Sequence, residues 1–175
     1  MMGLNEDYMG KKFKLLVVED ETDLLNTLAE ELKLLHFEVV TTKTGIEALE
    51  KIKSDQQIIA VLTDIVMPGM SGIDCLKRIR ETGSEIPFVF LTGNGSKESI
   101  TEALRWGAMD FLDKPCSSEI LVATVRHALR IGMFIRALDT EIDNLVSKYQ
   151  ISAADQDRLR TFQRAALTGR VINGG

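Results

Sequence analysis

The sequence predicts an α/β fold: a doubly wound, five-stranded parallel sheet with helices on both faces, continued by a C-terminal helical extension. Five short apolar runs alternate with five segments of helical period, the pattern of parallel strands joined by right-handed crossovers. Several of the runs are apolar throughout and do not alternate, as in strands buried on both faces. About 45 residues follow residue 130, without a proline, and the helical period of the fifth helix runs on into them.

Residues 1–12 are polar and charged and read as a flexible leader; with no apolar core they do not resemble a signal peptide. Phe13–Val18 (FKLLVV) is the first strand. Leucines 24, 25, 28, 32 and 35 form one stripe of a helix over Glu21–Leu35. Phe37–Thr42 is the second strand. Thr44 and Glu47 have the spacing of a capping box, opening a helix to about Lys53 with Ile46, Leu49 and Ile52. Ile58–Thr63 is the third strand, and Met67-Pro68-Gly69 breaks the chain into a loop. Ser71 caps a helix carrying Ile73, Leu76 and Ile79. Pro87 opens the strand Phe88–Leu91. Gly93-Asn94-Gly95 is a loop, and Ser96–Trp106 is a helix ended by Gly107. Met109–Leu112 is the fifth strand, and a helix starts near Ser117.

Composition bounds the function. Hydrophobic residues at 45% and charged residues at 27% describe a globular chain with one real core. The net charge of -5 argues against a dedicated nucleic-acid binder. Cys75 and Cys116 lack metal-type spacing and read as reduced, inert thiols. No apolar run approaches the ~18 residues of a membrane span. The expectation is a soluble, cytoplasmic protein.

In parallel sheets ligands gather at the carboxyl ends of the strands. Those ends carry Glu19-Asp20, Asp64, Thr92 and Lys114, from four separate segments. Three neighbouring carboxylates repel one another unless a cation intervenes. Oxygen-only ligation favours Mg²⁺. Asp64 can then act as a nucleophile toward phosphorus, since carboxylates form covalent acyl-phosphates. Lys114 and the Thr92 hydroxyl can stabilise the phosphoryl oxygens.

The segments LVVEDE, VLTDIVMPGMSG, FLTG and FLDKP occur in that order, each at a strand end. Together they resemble the receiver domain of two-component response regulators, of the chemotaxis-regulator-like kind, over about residues 13–130. The resemblance implies a flavodoxin-like sheet of strand order 2-1-3-4-5. It implies that Asp64 is the phosphoacceptor and that Glu19, Asp20, Asp64 and the backbone carbonyl of Val66 hold Mg²⁺. It makes Thr92 and Lys114 the phosphoryl-binding pair. Phe111 takes the switch position, its ring turning inward as Thr92 moves toward the phosphate. The implied partner is a sensor histidine kinase or phosphotransfer protein, with no separate enzymatic turnover. Three features bear on the family pattern: Glu19 stands where many members have Asp, the switch ring is Phe without a hydroxyl, and Val66 is apolar where the family tunes dephosphorylation. Gly93 is small, as the family expects, and leaves the phosphoryl group accessible.

The extension, residues 131–175, reads as helical. Leu121, Thr124, Ala128, Ile131, Ile135, Leu138, Ile142, Leu145 and Tyr149 follow a heptad register, so the fifth helix should run to about Tyr149. Ser152, with Asp155, caps a second helix of about residues 153–168, with Leu159, Phe162, Ala166 and Leu167 as its apolar face and Gly169 at its end. Such a pair is too short to bury its stripe alone. A homodimer through these helices is expected, with an unidentified downstream protein as target; folding back on the same chain is the alternative. A DNA-binding regulator with a minimal helical output is the competing function, although Asp155 and Asp157 offset Arg158, Arg160, Arg164 and Arg170. An aspartyl phosphatase would place an acid at position 66, where Val66 stands. His36, at a helix end, and His127 read as structural, as does Trp106.

Overall fold

Each strand forms where the apolar runs fall. The computed structural model describes residues 12–93 and 95–168. The order is β1 (Lys14–Val18), α1 (Thr22–Leu34), β2 (Val39–Thr42), α2 (Gly45–Ser54), β3 (Ile58–Asp64), α3 (Gly72–Glu81), β4 (Phe88–Thr92), α4 (Lys97–Arg105), β5 (Asp110–Asp113), α5 (Ser118–Tyr149) and α6 (Ala153–Thr168). The sheet is parallel, in the order β2-β1-β3-β4-β5. The leader, up to residue 11, and Gly169 lie outside the described residues.

Period-2 alternation sends each strand's side chains to two layers. Leu16, Val18, Val61, Phe88 and Phe90 point to the layer of α2, α3 and α4. Leu15, Val17, Leu62, Val89 and Leu91 point to the layer of α1 and α5. Cys75 is in the first layer, where burial pushes its thiol up to about 12 and keeps it protonated.

Local chemistry sets the helix ends. The side chains of Thr44, Ser71 and Ser96 accept from the backbone N–H groups of Glu47, Asp74 and Ser99, satisfying donors the helix leaves unpaired. Glu47 reaches back one residue further than a capping box requires, accepting from the Lys43 N–H at 3.0 Å. The α1 stripe stops at Leu32, and Leu35 is exposed. The cause is His36, whose φ of 65° turns the chain. Its N–H donates to Lys33 O, and that of Phe37 to Leu32 O, a left-handed cap that satisfies two orphan carbonyls. Trp106 ends α4, and its carbonyl accepts from Arg80 Nε at 3.2 Å.

The chain divides into two compact units, one through Met133 and one from Phe134. In the first, the buried face of α5 is Leu121, Thr124, Val125, Ala128, Leu129 and Gly132. The heptad reading placed Ile131 on this stripe; instead Ile131 is exposed. A straight helix of 3.6 residues per turn drifts from a 3.5 repeat, and here that drift brings Gly132 to the sheet. In the second unit, α6 runs back antiparallel to the end of α5. Arg160 Nη2 meets Asp143 Oδ1 at 2.5 Å, and Gln163 Nε2 donates to Asp139 Oδ1 at 2.9 Å. The expected apolar face is not the one that meets α5. Phe162 is 64% exposed, whereas Arg160 and Gln163 are half-buried. Ser152 caps α6 as expected, accepting from the Asp155 N–H at 3.2 Å. Among the described residues no helix is long and apolar enough to cross a membrane.

Candidate functional site

Four parallel strands pointing one way must end on one edge. β1 and β3 are adjacent at the centre, where the strand order reverses and a crevice opens. Val18 pairs with Thr63, placing Glu19-Asp20 beside Asp64. Thr92 pairs with Asp113, so Lys114, the residue after β5, lies beside the β4 end. The Lys114 N–H donates to Thr92 O at 2.7 Å, tying the two segments. The Lys114–Pro115 peptide is cis.

The side chains converge. Lys114 Nζ donates to Glu19 Oε2 at 2.6 Å and to Asp64 Oδ2 at 2.5 Å. Glu19 is 2% exposed, so its charge is tolerable only with such a partner. Burial depresses the Lys114 ammonium, but its hydrogen bonds to Asp64 and Glu19 outweigh that and hold its pKa above the ordinary lysine value. The other Asp64 oxygen, Oδ1, accepts from the Val66 N–H at 3.0 Å. That pair of contacts fixes the plane of the carboxylate.

Glu19, Asp20 and Asp64 each offer an oxygen within 4.8 Å of the others. The donors are hard and all-oxygen, which fits Mg²⁺ better than a softer metal. Thr92 is buried at the β4 end. Phe111 is half-buried and stacks on Phe90, with ring centroids 5.4 Å apart and planes 18° apart. The arrangement thus joins Glu19, Asp20, Asp64 and Lys114 by side chains and Thr92 by its backbone, with Phe111 against the neighbouring core. His36 and His127 lie elsewhere, at the α1 cap and on the exposed face of α5.

One residue, Gly72, escaped the sequence reading, and Val66 has a contact that reading did not include. A β-carbon on Gly72 would stand 2.1 Å from the carbonyl oxygen of Asp64, so only glycine lets α3 begin this close to the site. Val66 also serves the site through its N–H, while its side chain is 72% exposed. Glycine at the first helical position, where almost any residue is tolerated, was the available signal for Gly72.

Residues 15–126 match the family described as the response regulator receiver domain. Over 134 residues the chain is 34% identical to the regulatory protein LuxO of Vibrio cholerae, covering 77% of this chain and 29% of LuxO. Over 117 residues it is 38% identical to the transcriptional regulatory protein CpxR of Escherichia coli K12, covering 67% of this chain and 49% of CpxR. The chain thus spans less than half the length of these two relatives. Among solved structures, a CheY-like receiver domain protein from Methanospirillum hungatei superposes with a TM-score of 0.65 at 26% identity, covering 69% of this chain and 96% of that one. The chemotaxis protein CheY4 of Vibrio cholerae gives 0.62 at 29% identity, covering 66% and 98%.

Proposed function

The chain belongs to the response regulator receiver family, and from that premise we propose that it is a phosphorylation switch taking a phosphoryl group on Asp64 from a histidine kinase or phosphotransfer protein. The observation that carries this is Lys114 bridging Glu19 and Asp64 at the crevice, with Asp20 beside them. A carboxylate held in plane, next to a cation and a metal-type acid pair, is suited to attack phosphorus.

Glu19, Asp20, Asp64 and the Val66 carbonyl would hold Mg²⁺, which when bound supplies positive charge against the phosphoryl oxygens. Asp64 Oδ2 forms the new O–P bond as the N–P bond of a phosphohistidine donor breaks, the electron pair returning to the donor's imidazole. The Val66 N–H keeps Oδ1 from competing. Lys114 moves from the carboxylate to one phosphoryl oxygen and the Thr92 hydroxyl donates to another. Phe111, lacking a hydroxyl, follows Thr92 by packing alone. We assign no separate substrate turnover: hydrolysis of the aspartyl phosphate only resets the switch. Acetyl phosphate with Mg²⁺ is expected to add one phosphoryl mass to the intact protein, and chelation to abolish the gain. A chain that takes no phosphoryl group under these conditions would sink the reading.

We assign output to protein contact in the cytoplasm, through self-association of the α5–α6 hairpin. Because α6 meets α5 with polar groups, Phe134, Tyr149 and Phe162 are 55%, 63% and 64% exposed. Residues 134–168 carry five acids, from Asp139 to Asp157, and five bases, from Arg136 to Arg164, so two copies meet without net repulsion. Nucleic acid is the weaker reading. LuxO and CpxR are called regulatory proteins, yet here Arg160 is paired with Asp139 and Asp143, and Arg158 with Asp155. Light scattering is expected to give a dimer that Phe162→Asp dissociates; a monomer both with and without beryllofluoride would remove this assignment.

A further inference from the structure

Gly95 lies half-buried between β4 and α4, three residues after Thr92. Its backbone does not demand glycine: among the described residues the left-handed glycines are Gly69, Gly83 and Gly107. What excludes a side chain is space. A β-carbon on Gly95 would stand 2.7 Å from Thr92 Oγ1, 3.2 Å from Ile65 Cδ1 and 3.5 Å from Ile100 Cγ1. At Gly93, by contrast, the nearest atom would be Lys114 Cβ at 4.0 Å. The two glycines of this loop therefore differ in kind, one merely small and the other sized to the hydroxyl beside it.

The three neighbours do not yield equally. Ile65 Cδ1 is the far end of a long side chain and shifts easily. Ile100 is at ordinary contact distance. Thr92 is 4% exposed and β-branched, so its χ1 wells are few and a shift of Oγ1 means leaving one for another. A methyl group at position 95 would be absorbed chiefly by Thr92, with the sheet left in place.

We propose that Gly95 is a positioning residue for phosphoryl transfer: its missing side chain holds open the space in which the Thr92 hydroxyl sits and from which it turns to the phosphoryl group. The proposal rests on the reading of Asp64 as phosphoacceptor. It makes the hydroxyl's orientation a property of the β4–α4 loop as well as of β4.

The test is a double-mutant cycle on the full chain, comparing wild type, Gly95→Ala, Thr92→Ala and the double variant. The readouts are the rate of phosphoryl uptake from acetyl phosphate with Mg²⁺ and the apparent Kd for beryllofluoride. Gly95→Ala should slow uptake and weaken beryllofluoride binding by about fivefold, the loss of one ordinary hydrogen bond. In the Thr92→Ala background the same change should cost nothing further. Thr92→Ser, which keeps the hydroxyl but frees χ1, should restore most of the loss when combined with Gly95→Ala. Wild-type behaviour of Gly95→Ala, or an equal loss in both backgrounds, would overturn the proposal. So would loss of a cooperative urea transition, since the cost would then fall on the fold. If the wild type itself takes no phosphoryl group, the underlying reading fails and not this contact.

Discussion

Replacing Lys114 by Met is expected to slow phosphoryl uptake from acetyl phosphate by about 10²–10³-fold, the usual cost of removing one preorganised stabiliser of developing charge. Lys114 Nζ sits between Glu19 and Asp64 in the resting site. Removing its charge has two consequences of opposite sign. The buried Glu19 carboxylate and Asp64 lose their cation, so the two acids repel and the metal-free protein is weakened. Mg²⁺ meanwhile loses a competitor for those oxygens, so its affinity should rise, as titration calorimetry would record. Slower chemistry with tighter metal is a signature that misfolding does not produce. Uptake at the wild-type rate would show that Lys114 only balances charge at rest.

Gly132→Ala is expected to destabilise the chain by about 1–3 kcal/mol, the range for overpacking a well-packed core. The sign is the informative part. Inside a helix, glycine to alanine ordinarily gains about 1 kcal/mol. At Gly132, however, a β-carbon would stand 2.0 Å from Ile59 O and 2.9 Å from Ile59 C. Ile59 belongs to β3, paired with β1 on one side and β4 on the other, so its backbone cannot retreat. The helix must lift instead, opening the layer of Leu121, Val125 and Ala128. The urea midpoint should fall; a rise would mean that helix propensity outweighs the contact.

The strands and the acidic crevice were legible because they depend on local signals. Apolar runs mark buried parallel strands, and polar residues directly after them mark the edge where ligands bind. Glu19, Asp20, Asp64, Thr92 and Lys114 follow from that rule alone. Less legible was anything set by close approach across the fold. Neither Gly72 against Asp64 nor Gly95 against Thr92 Oγ1 is marked by periodicity, because a missing side chain is a fact about its neighbours. The heptad reading of α5 chose Ile131 over Gly132, since hydrophobicity scores a large apolar residue above an empty position. In α6 the apolar positions do not show which side chains meet α5. Arg160 and Gln163 found partners in Asp143 and Asp139, and specific polar pairs over 17 and 24 residues cannot be read from one helix's stripe.

The central claim is that chemistry occurs at Asp64, and borohydride trapping tests it most directly. Treating the phosphorylated chain with borohydride reduces an aspartyl phosphate to homoserine, which peptide mass mapping locates. Homoserine at position 64, absent without phosphodonor and absent in Asp64→Asn, is the expected result. Homoserine at another carboxylate, or undiminished phosphoryl incorporation in Asp64→Asn, would contradict the account.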